Sequence, residues 1–123
     1  MKVLLSIKPE FANMIFNGTK KFEFRRVIFK SQDIKTIIVY ASSPVQKVIG
    51  EFEIEEILNE DLNILWERTK DFAGIPEQFF FQYFGEKNKG FAIRIKKTKK
   101  YKNPLCLQKE FNISPPQSFA YVA

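Results

Sequence analysis

The spacing of the apolar residues changes at Asn17-Gly18, and this change constrains the fold more than any other feature of the sequence. Before it, the apolar residues of 11–16 recur at the spacing of a helix that Pro9 can begin, and Asn17-Gly18 is a typical helix stop. After it, Phe22 and Phe24 alternate with charged residues. This alternation predicts a half-buried strand with a charged outer face, running to about residue 29.

The rest of the chain also divides into short elements. Apolar or alternating stretches predict strands at 1–7, 36–41, 47–58 and 90–96, and one or two more within 101–110 and 118–122. Gly50 predicts a bulge or a close backbone approach. Helices are predicted at 59–70, capped by Asn59, and from Pro76 to Gly85. Because strands dominate without regular β–α alternation, we expect an α+β fold: a mixed barrel of about five to seven short strands, flanked by two or three helices.

Length and composition predict one folded domain over residues 1–123. Domains commonly have about 100–150 residues, and this chain has 123 residues, no internal repeat and no linker-like stretch. Its hydrophobic fraction is 45%, including 14 phenylalanines. That fraction is enough for an apolar core, so a disordered chain is excluded.

Residue types that the chain lacks exclude several chemistries. It has no histidine, so Ser-His-Asp and Cys-His mechanisms are impossible. Its one cysteine, Cys106, cannot form an internal disulfide or a Cys-x-x-Cys zinc site. No apolar run reaches the roughly 18–20 residues of a membrane span. We therefore expect a cytoplasmic protein without a metal centre or a membrane partner.

The charge of the chain favours anionic partners, nucleic acid before a membrane surface. Lys and Arg number 20 against 14 acids, a net charge of +6. One basic cluster comprises Lys20, Lys21, Arg25, Arg26 and Lys30. A second comprises Arg94, Lys96, Lys97, Lys99, Lys100 and Lys102. For the second cluster we favour a solvated strand face that protects a sheet edge; the first differs because it includes an acid, Glu23.

The first cluster carries a family resemblance. Residues 18–25, GTKKFEFR, fit the G-x-K-x-x-E-x-R signature of ASCH domains, a branch of the PUA-like superfamily. The flanking stretches LLSIKPEFANMIFNG, YASSPVQKVIGEFEI and PPQSFAYV also resemble small prokaryotic and phage ASCH proteins, so the resemblance covers essentially the whole chain.

The resemblance implies a β-barrel flanked by helices, with a cleft beside the signature motif. Gly18 would form the turn after the first helix, and Lys20 would project into the cleft. Glu23 and Arg25 would line its wall or brace one another. Strict strand alternation places Lys20 out of phase with Glu23 and Arg25. The three side chains can therefore meet only if a turn or bulge separates Lys20 from Phe22.

Other residues are candidates for the same nucleic-acid site. Lys21 and Arg26 extend the basic cluster, and Ser42 and Ser43 can offer hydroxyl and backbone N–H groups. Tyr40, Tyr101 and Phe119 are candidates for stacking on a base, whereas Trp66 lies on an apolar helix stripe and is expected in the core. Among Glu51, Glu53 and Glu55, only Glu51, beside Gly50, is a candidate acid.

These observations predict a nucleic-acid-binding module that holds RNA or a modified nucleotide in a basic cleft. The alternative is a small hydrolase that uses Lys20 and a glutamate, Glu23 or Glu51. It would be either an N4-acetylcytidine-type amidohydrolase or a metal-dependent ribonuclease, the one alternative that requires a cofactor. The amidohydrolase group has threonine where this chain has Glu23. A third class, a protein–protein adaptor, requires the aromatic rings of 79–84 to be exposed.

Overall fold

Six strands form one mixed sheet in the computed structural model, which describes residues 1–123. They are β1 (Lys2–Ile7), β2 (Phe22–Arg25), β3 (Thr36–Ala41), β4 (Lys47–Asp61), β5 (Lys89–Leu105) and β6 (Phe119–Val122). The order across the sheet is β2-β5-β4-β3-β1-β6. The β1–β3 pair is parallel and the others are antiparallel. The predicted α+β class and strand number are confirmed.

Four helices pack on this sheet: α1 (Pro9–Phe16), α2 (Leu62–Thr69), α3 (Glu77–Phe84) and α4 (Leu107–Phe111). A 3-10 helix, Lys70–Phe72, follows α2. The predicted ends of α1 and α3 are confirmed: Pro9 is the first residue of α1, and Gly85, with φ of 61°, ends α3. The prediction for α2 was wrong at its start, because β4 continues through Asn59 to Asp61, and α4 was not predicted.

The antiparallel pairing of β4 with β5 is longer than the sequence predicts. Pairing between these strands runs from Val48 with Leu105 to Asp61 with Lys89. It therefore includes residues 97–100, which lie between the strands predicted at 90–96 and within 101–110. Gly50 lies at a register irregularity, and a Cβ there would be 2.6 Å from the Lys99 carbonyl oxygen, so the predicted close approach is confirmed.

Strand β2 is shorter than predicted and ends at Arg25 instead of running to about residue 29. Only Phe91–Arg94 of β5 pair with it. The chain then leaves the sheet, and Phe29 packs edge to face on Phe119 of β6 with ring centroids 6.1 Å apart. Phe119, which the sequence offers as a candidate for stacking on a base, thus packs against Phe29 within the fold.

The two ends of the sheet meet through side chains. Arg25 Nη2 in β2 donates a hydrogen bond to the Ser6 carbonyl in β1, at 2.9 Å, although three strands separate β2 from β1 in the sheet order. The backbone N–H groups of Lys30 and Ser31 donate to the Tyr121 hydroxyl of β6. The sheet is therefore curled into a barrel-like shape without a backbone ladder between β2 and β6.

The buried apolar residues form three clusters. The largest includes Ile15 of α1, and a second lies under α2 and α3 around Phe80. The third includes Leu107 of α4 and Tyr40 of β3. No helix combines the length and the apolarity needed to cross a membrane.

Phe80 tests the aromatic core. Its fully buried ring contacts the rings of Phe24, Trp66, Phe81 and Phe84. We expect Phe80→Ala to lower the free energy of unfolding by about 3–5 kcal/mol, since it removes a large buried ring and leaves a cavity. Phe72→Ala is the control, because Phe72 is 45% exposed, and should cost less than about 1 kcal/mol. Equal losses in urea unfolding would contradict the assigned core.

Candidate functional site

A tight turn separates Lys20 from β2. Gly18 has φ of 86°, and the backbone N–H groups of Thr19 and Lys20 both donate to the Met14 carbonyl. Lys21 N–H donates to the Phe72 carbonyl, and the Lys21 carbonyl accepts from Ile95 N–H. This is the predicted turn before Phe22, and it lets Lys20 reach the same space as Glu23 and Arg25.

The Lys20 side chain is buried, with 2% of the residue exposed. Its Nζ donates a hydrogen bond to the Ala73 carbonyl at 2.6 Å. The ammonium also lies over the rings of Phe24 and Phe11, 4.9 and 5.3 Å from their centroids. Ring faces attract a cation, so these contacts partly replace the water that burial removes.

Burial lowers the pKa of Lys20 from 10.5 to about 8, and the nearby Glu23 carboxylate opposes this shift. Removing an ammonium from water disfavours its charged form, whereas a neighbouring negative charge favours it. Lys20 therefore carries a proton that it can release near neutral pH, unlike a solvated lysine.

Glu23 is buried beside Arg25, with 7% of the residue exposed, so the charged outer face predicted for this strand was wrong at this position. Its Oε2 lies 3.1 Å from Arg25 Nε, but the Nε–H does not point at an acceptor. The contact is therefore an ion pair without an aligned hydrogen bond. Burial raises the pKa of Glu23, and the charges of Arg25 and Lys20 oppose that rise.

These three side chains line a cleft of about 320 Å³ between β1, β2 and α3. Ile75, Phe79 and Tyr83 form one apolar wall, with Phe79 and Tyr83 one helical turn apart on α3. The other lining residues are Ser6, Ile7, Lys8, Phe11, Phe24 and Arg26. Glu23 is the one acidic residue among them.

Two cations lie against the aromatic wall. The Arg26 guanidinium is 4.8 Å from the Tyr83 ring centroid, and Lys8 Nζ is 6.0 Å from that of Phe79. The Tyr83 hydroxyl donates to the Phe24 carbonyl at 3.2 Å, which fixes its ring relative to β2. Arg26 and Lys8 are both exposed. The cleft thus combines aromatic faces, solvated cations and a buried Lys–Glu–Arg group.

Several predicted site residues lie elsewhere. Lys21 is exposed over the Phe72 ring and lines a separate groove. Ser42 and Ser43 belong to the turn after β3 and do not line the cleft. Tyr40 is 4% exposed in the core, so burial removes the ring face that stacking on a base would need.

Glu51 lies on β4, away from the cleft. One of its oxygens accepts a hydrogen bond from the Tyr101 hydroxyl at 2.7 Å, and the other is 3.9 Å from Lys2 Nζ. This contact also occupies the hydroxyl of Tyr101, another candidate for stacking. The structure therefore does not bring Glu51 to Lys20.

Two site residues were missed from the sequence: Ala73 and Gly74. Ala73 supplies the carbonyl that holds Lys20, and Gly74 has φ of 73°. A Cβ at Gly74 would be 2.7 Å from Lys20 Cγ, so the lysine stem occupies the space that the glycine leaves. Nothing in the local sequence marks this contact, because 53 residues separate the two segments.

No group of three or more carboxylate or cysteine side chains is arranged to hold a metal ion. The cleft residues themselves can carry out proton transfer, by Lys20 and Glu23, and binding of anions, by Lys8, Arg25 and Arg26.

Comparison with known proteins finds several similarities. A family model described as the ASCH domain matches residues 5–113. The chain is 35% identical to the ASCH domain-containing ribonuclease of Zymomonas mobilis, covering 98% of this chain and 84% of that protein. It is 28% identical to the large ribosomal subunit protein uL22 of Ureaplasma parvum, but it spans only 39% of that protein.

The fold is similar to that of a solved structure. The crystal structure of ASCH from Zymomonas mobilis superposes on this chain with a TM-score of 0.89 at 32% sequence identity. The match covers 99% of this chain and 87% of that one.

Gly74→Ala tests the contact with Lys20. A side chain at positive φ costs roughly 1 kcal/mol, and the overlap with the lysine stem should add about 1–3 kcal/mol. Gly85→Ala is a matched control, because Gly85 also has positive φ but nothing lies within 4 Å of the added Cβ. Thermal or urea unfolding compares the two variants. An equal loss of stability would show that Gly74 does not confine Lys20.

The Lys20 titration tests the electrostatics of the site. In NMR of protein carrying ¹³C-labelled lysine, we expect the Lys20 signal to titrate with a midpoint at about 8. Glu23→Gln should lower this midpoint, because the lost carboxylate charge no longer favours the ammonium. Glu51→Gln, which removes a carboxylate outside the cleft, should leave it unchanged. A midpoint that rises in Glu23→Gln would contradict the assigned geometry.

Proposed function

This chain belongs to the ASCH family, and we propose that it binds single-stranded RNA in the cleft and cleaves it, with Lys20 and Glu23 as the proton-transferring pair. The observation that carries the proposal is the burial of these two side chains together in one cleft. The similarity to a protein named as a ribonuclease, over 98% of this chain, supports RNA as the substrate.

The direction of the two pKa shifts supports the division of roles. Burial raises the pKa of Glu23, which makes its carboxylate a stronger base, and lowers the pKa of Lys20 to about 8, which makes its ammonium a stronger acid. An acid and a base with pKa values closer to the working pH transfer protons more effectively. The pair therefore suits a reaction that needs one proton removed and another supplied.

Cleavage of a phosphodiester bond inside an RNA strand is such a reaction. Glu23 takes the proton of a ribose 2′-hydroxyl, the freed oxygen attacks the adjacent phosphorus, and the bond from phosphorus to the 5′-oxygen breaks. Lys20 donates its proton to that departing oxygen. The Ala73 carbonyl accepts only one of the three ammonium protons, so the others are available. Lys8, Arg25 and Arg26 provide positive charge for the phosphate as negative charge builds on it.

The shape of the cleft fits one nucleotide of an unpaired strand. Its volume of about 320 Å³ is at the lower end of the roughly 300–1,000 Å³ of small-molecule pockets. Phe79 and Tyr83 present aromatic faces, and stacking of a base on such a ring contributes about 1–3 kcal/mol. A base inside a duplex cannot reach these rings.

Binding without cleavage is the second candidate. Arg25 is paired with Glu23, and Ala73 holds Lys20, so each reacting group also has a partner within the protein. The same group can serve as a rigid binding wall for RNA or for a modified nucleotide. This alternative predicts the same salt-dependent affinity but no turnover.

The test incubates the protein with fluorescent single-stranded RNA, with magnesium or manganese and with EDTA. Anisotropy measures binding and a denaturing gel measures cleavage. Lys20→Met removes the ammonium but keeps the length of the side chain, and we expect it to reduce cleavage by roughly 10²-fold or more. Lys87→Met, at an exposed lysine outside the cleft, is the control. Circular dichroism confirms that both variants are folded.

The pH profile separates the two candidates. If Lys20 is the proton donor, cleavage by the wild-type protein falls as the pH rises through about 8, because the ammonium is lost. RNA that is bound but intact at every pH would support the binding module. If the protein neither binds nor cleaves RNA, the RNA proposal is overturned and a free modified nucleoside is favoured as the ligand.

A further inference from the structure

The positive charge of the chain is concentrated in one segment of β5, residues 96–102, which we call the lysine segment. It contains five lysines and no acid, whereas the other 116 residues contain fifteen basic and fourteen acidic residues. All five lysines are exposed, and none forms an ion pair. We propose that the lysine segment is a second RNA-binding surface, which holds the phosphates of the strand that extends from the cleft. The inference rests on the proposed function.

The segment begins beside the turn that carries Lys20. Arg94 pairs with Phe22 of β2, and Ile95 N–H donates to the carbonyl of Lys21, the residue after Lys20. From this point β5 continues without β2 as a neighbour, because β2 pairs only with Phe91–Arg94. One edge of the lysine segment therefore has no paired strand.

Within the segment, the lysines differ in how far acids compensate their charge. Lys97 and Lys99 lie opposite Glu53 and Glu51 in the β4–β5 register, and directly opposed charges attract across a sheet. Lys100 lies opposite Gly50 instead. Lys96 borders a groove that contains Glu53, Glu55 and Glu56.

Lys100 and Lys102 are therefore the least compensated cations. Neither has an acid as a registered partner. Alternate residues of a strand lie on one face about 7 Å apart, so both side chains can contact neighbouring phosphates of one strand. Lys47 begins β4 at the same end of the β4–β5 pair, where Val48 pairs with Leu105.

Protection of a sheet edge is the simpler explanation for these lysines, and it accounts for one or two of them. It does not explain why the net charge of the chain is concentrated in seven residues. A run of this density is typical of a surface that binds a polyanion. RNA is the polyanion that the neighbouring cleft favours.

The chain offers a matched pair of variants in the same strand. Lys100→Gln with Lys102→Gln removes two uncompensated charges, and Lys97→Gln with Lys99→Gln removes two that face glutamates. RNA affinity is measured by anisotropy at several salt concentrations, with a trinucleotide and with a strand of about 20 nucleotides, since single-strand sites commonly span about 4–16 nucleotides.

For the long strand, we expect the first variant to weaken binding about tenfold and to reduce the slope of log affinity against log salt by about 1.4. The second variant should change both values less. Affinity for the trinucleotide, which is held mainly by the nucleotide in the cleft, should stay the same in both. No loss in the first variant would overturn the inference while leaving cleft binding and cleavage intact, whereas an equal loss in the second would extend the surface to Lys97 and Lys99.

A membrane is the competing partner for such a surface. If the lysine segment binds vesicles containing phosphatidylserine, and the first variant loses that binding while its RNA affinity stays the same, the inference is overturned. If the wild-type protein neither binds nor cleaves RNA, the proposed function itself fails.

Discussion

The Arg25 guanidinium makes the contact on which the site and the shape of the sheet both depend. Its Nη2 donates to the Ser6 carbonyl of β1, which three strands separate from β2 in the sheet order, and its Nε is paired with Glu23. Burying an unpaired carboxylate would cost several kcal/mol. Arg25 compensates that cost for Glu23, and the same side chain brings β2 to β1, where the cleft forms. Arg25 therefore contributes both to the curl of the sheet and to the assembly of the cleft.

Burial then gives the site its chemistry. The same removal of water that lowers the pKa of Lys20 raises that of Glu23, so the two values move towards each other. The pKa values of a lysine and a glutamate that are both exposed to water differ far more. The lysines of residues 96–102 are exposed, in contrast to Lys20. Their positive charge favours binding of a polyanion, and added salt weakens that binding. The protein thus combines buried charges suited to proton transfer with exposed charges suited to the strand backbone.

Local sequence signals identified α1, α3, the strands and the turn before Phe22, because caps, glycines and apolar spacing act over a few residues. They placed the ends of β2, β4 and β5 poorly. Asn59 resembles a helix cap, yet pairing between Asn59 and Phe91 keeps it in a strand. Residues 97–100 lie between two separately predicted strands, yet β4 pairs with them. In both cases hydrogen bonds to a distant strand outweigh the local preference.

The sequence by itself determined the family motif, the basic character of the surface, and the presence of Lys20, Glu23 and Arg25 within one turn and strand, because spacing along the chain places them together. The tertiary structure alone decided that Glu23 is buried, that Tyr40 and Glu51 lie outside the cleft, and that Ala73 and Gly74 confine Lys20. Burial and carbonyl contacts arise from segments far apart in the chain, such as residues 20 and 73, and no local pattern encodes their distance. The burial lowers the pKa of Lys20, so its acidity follows from the fold.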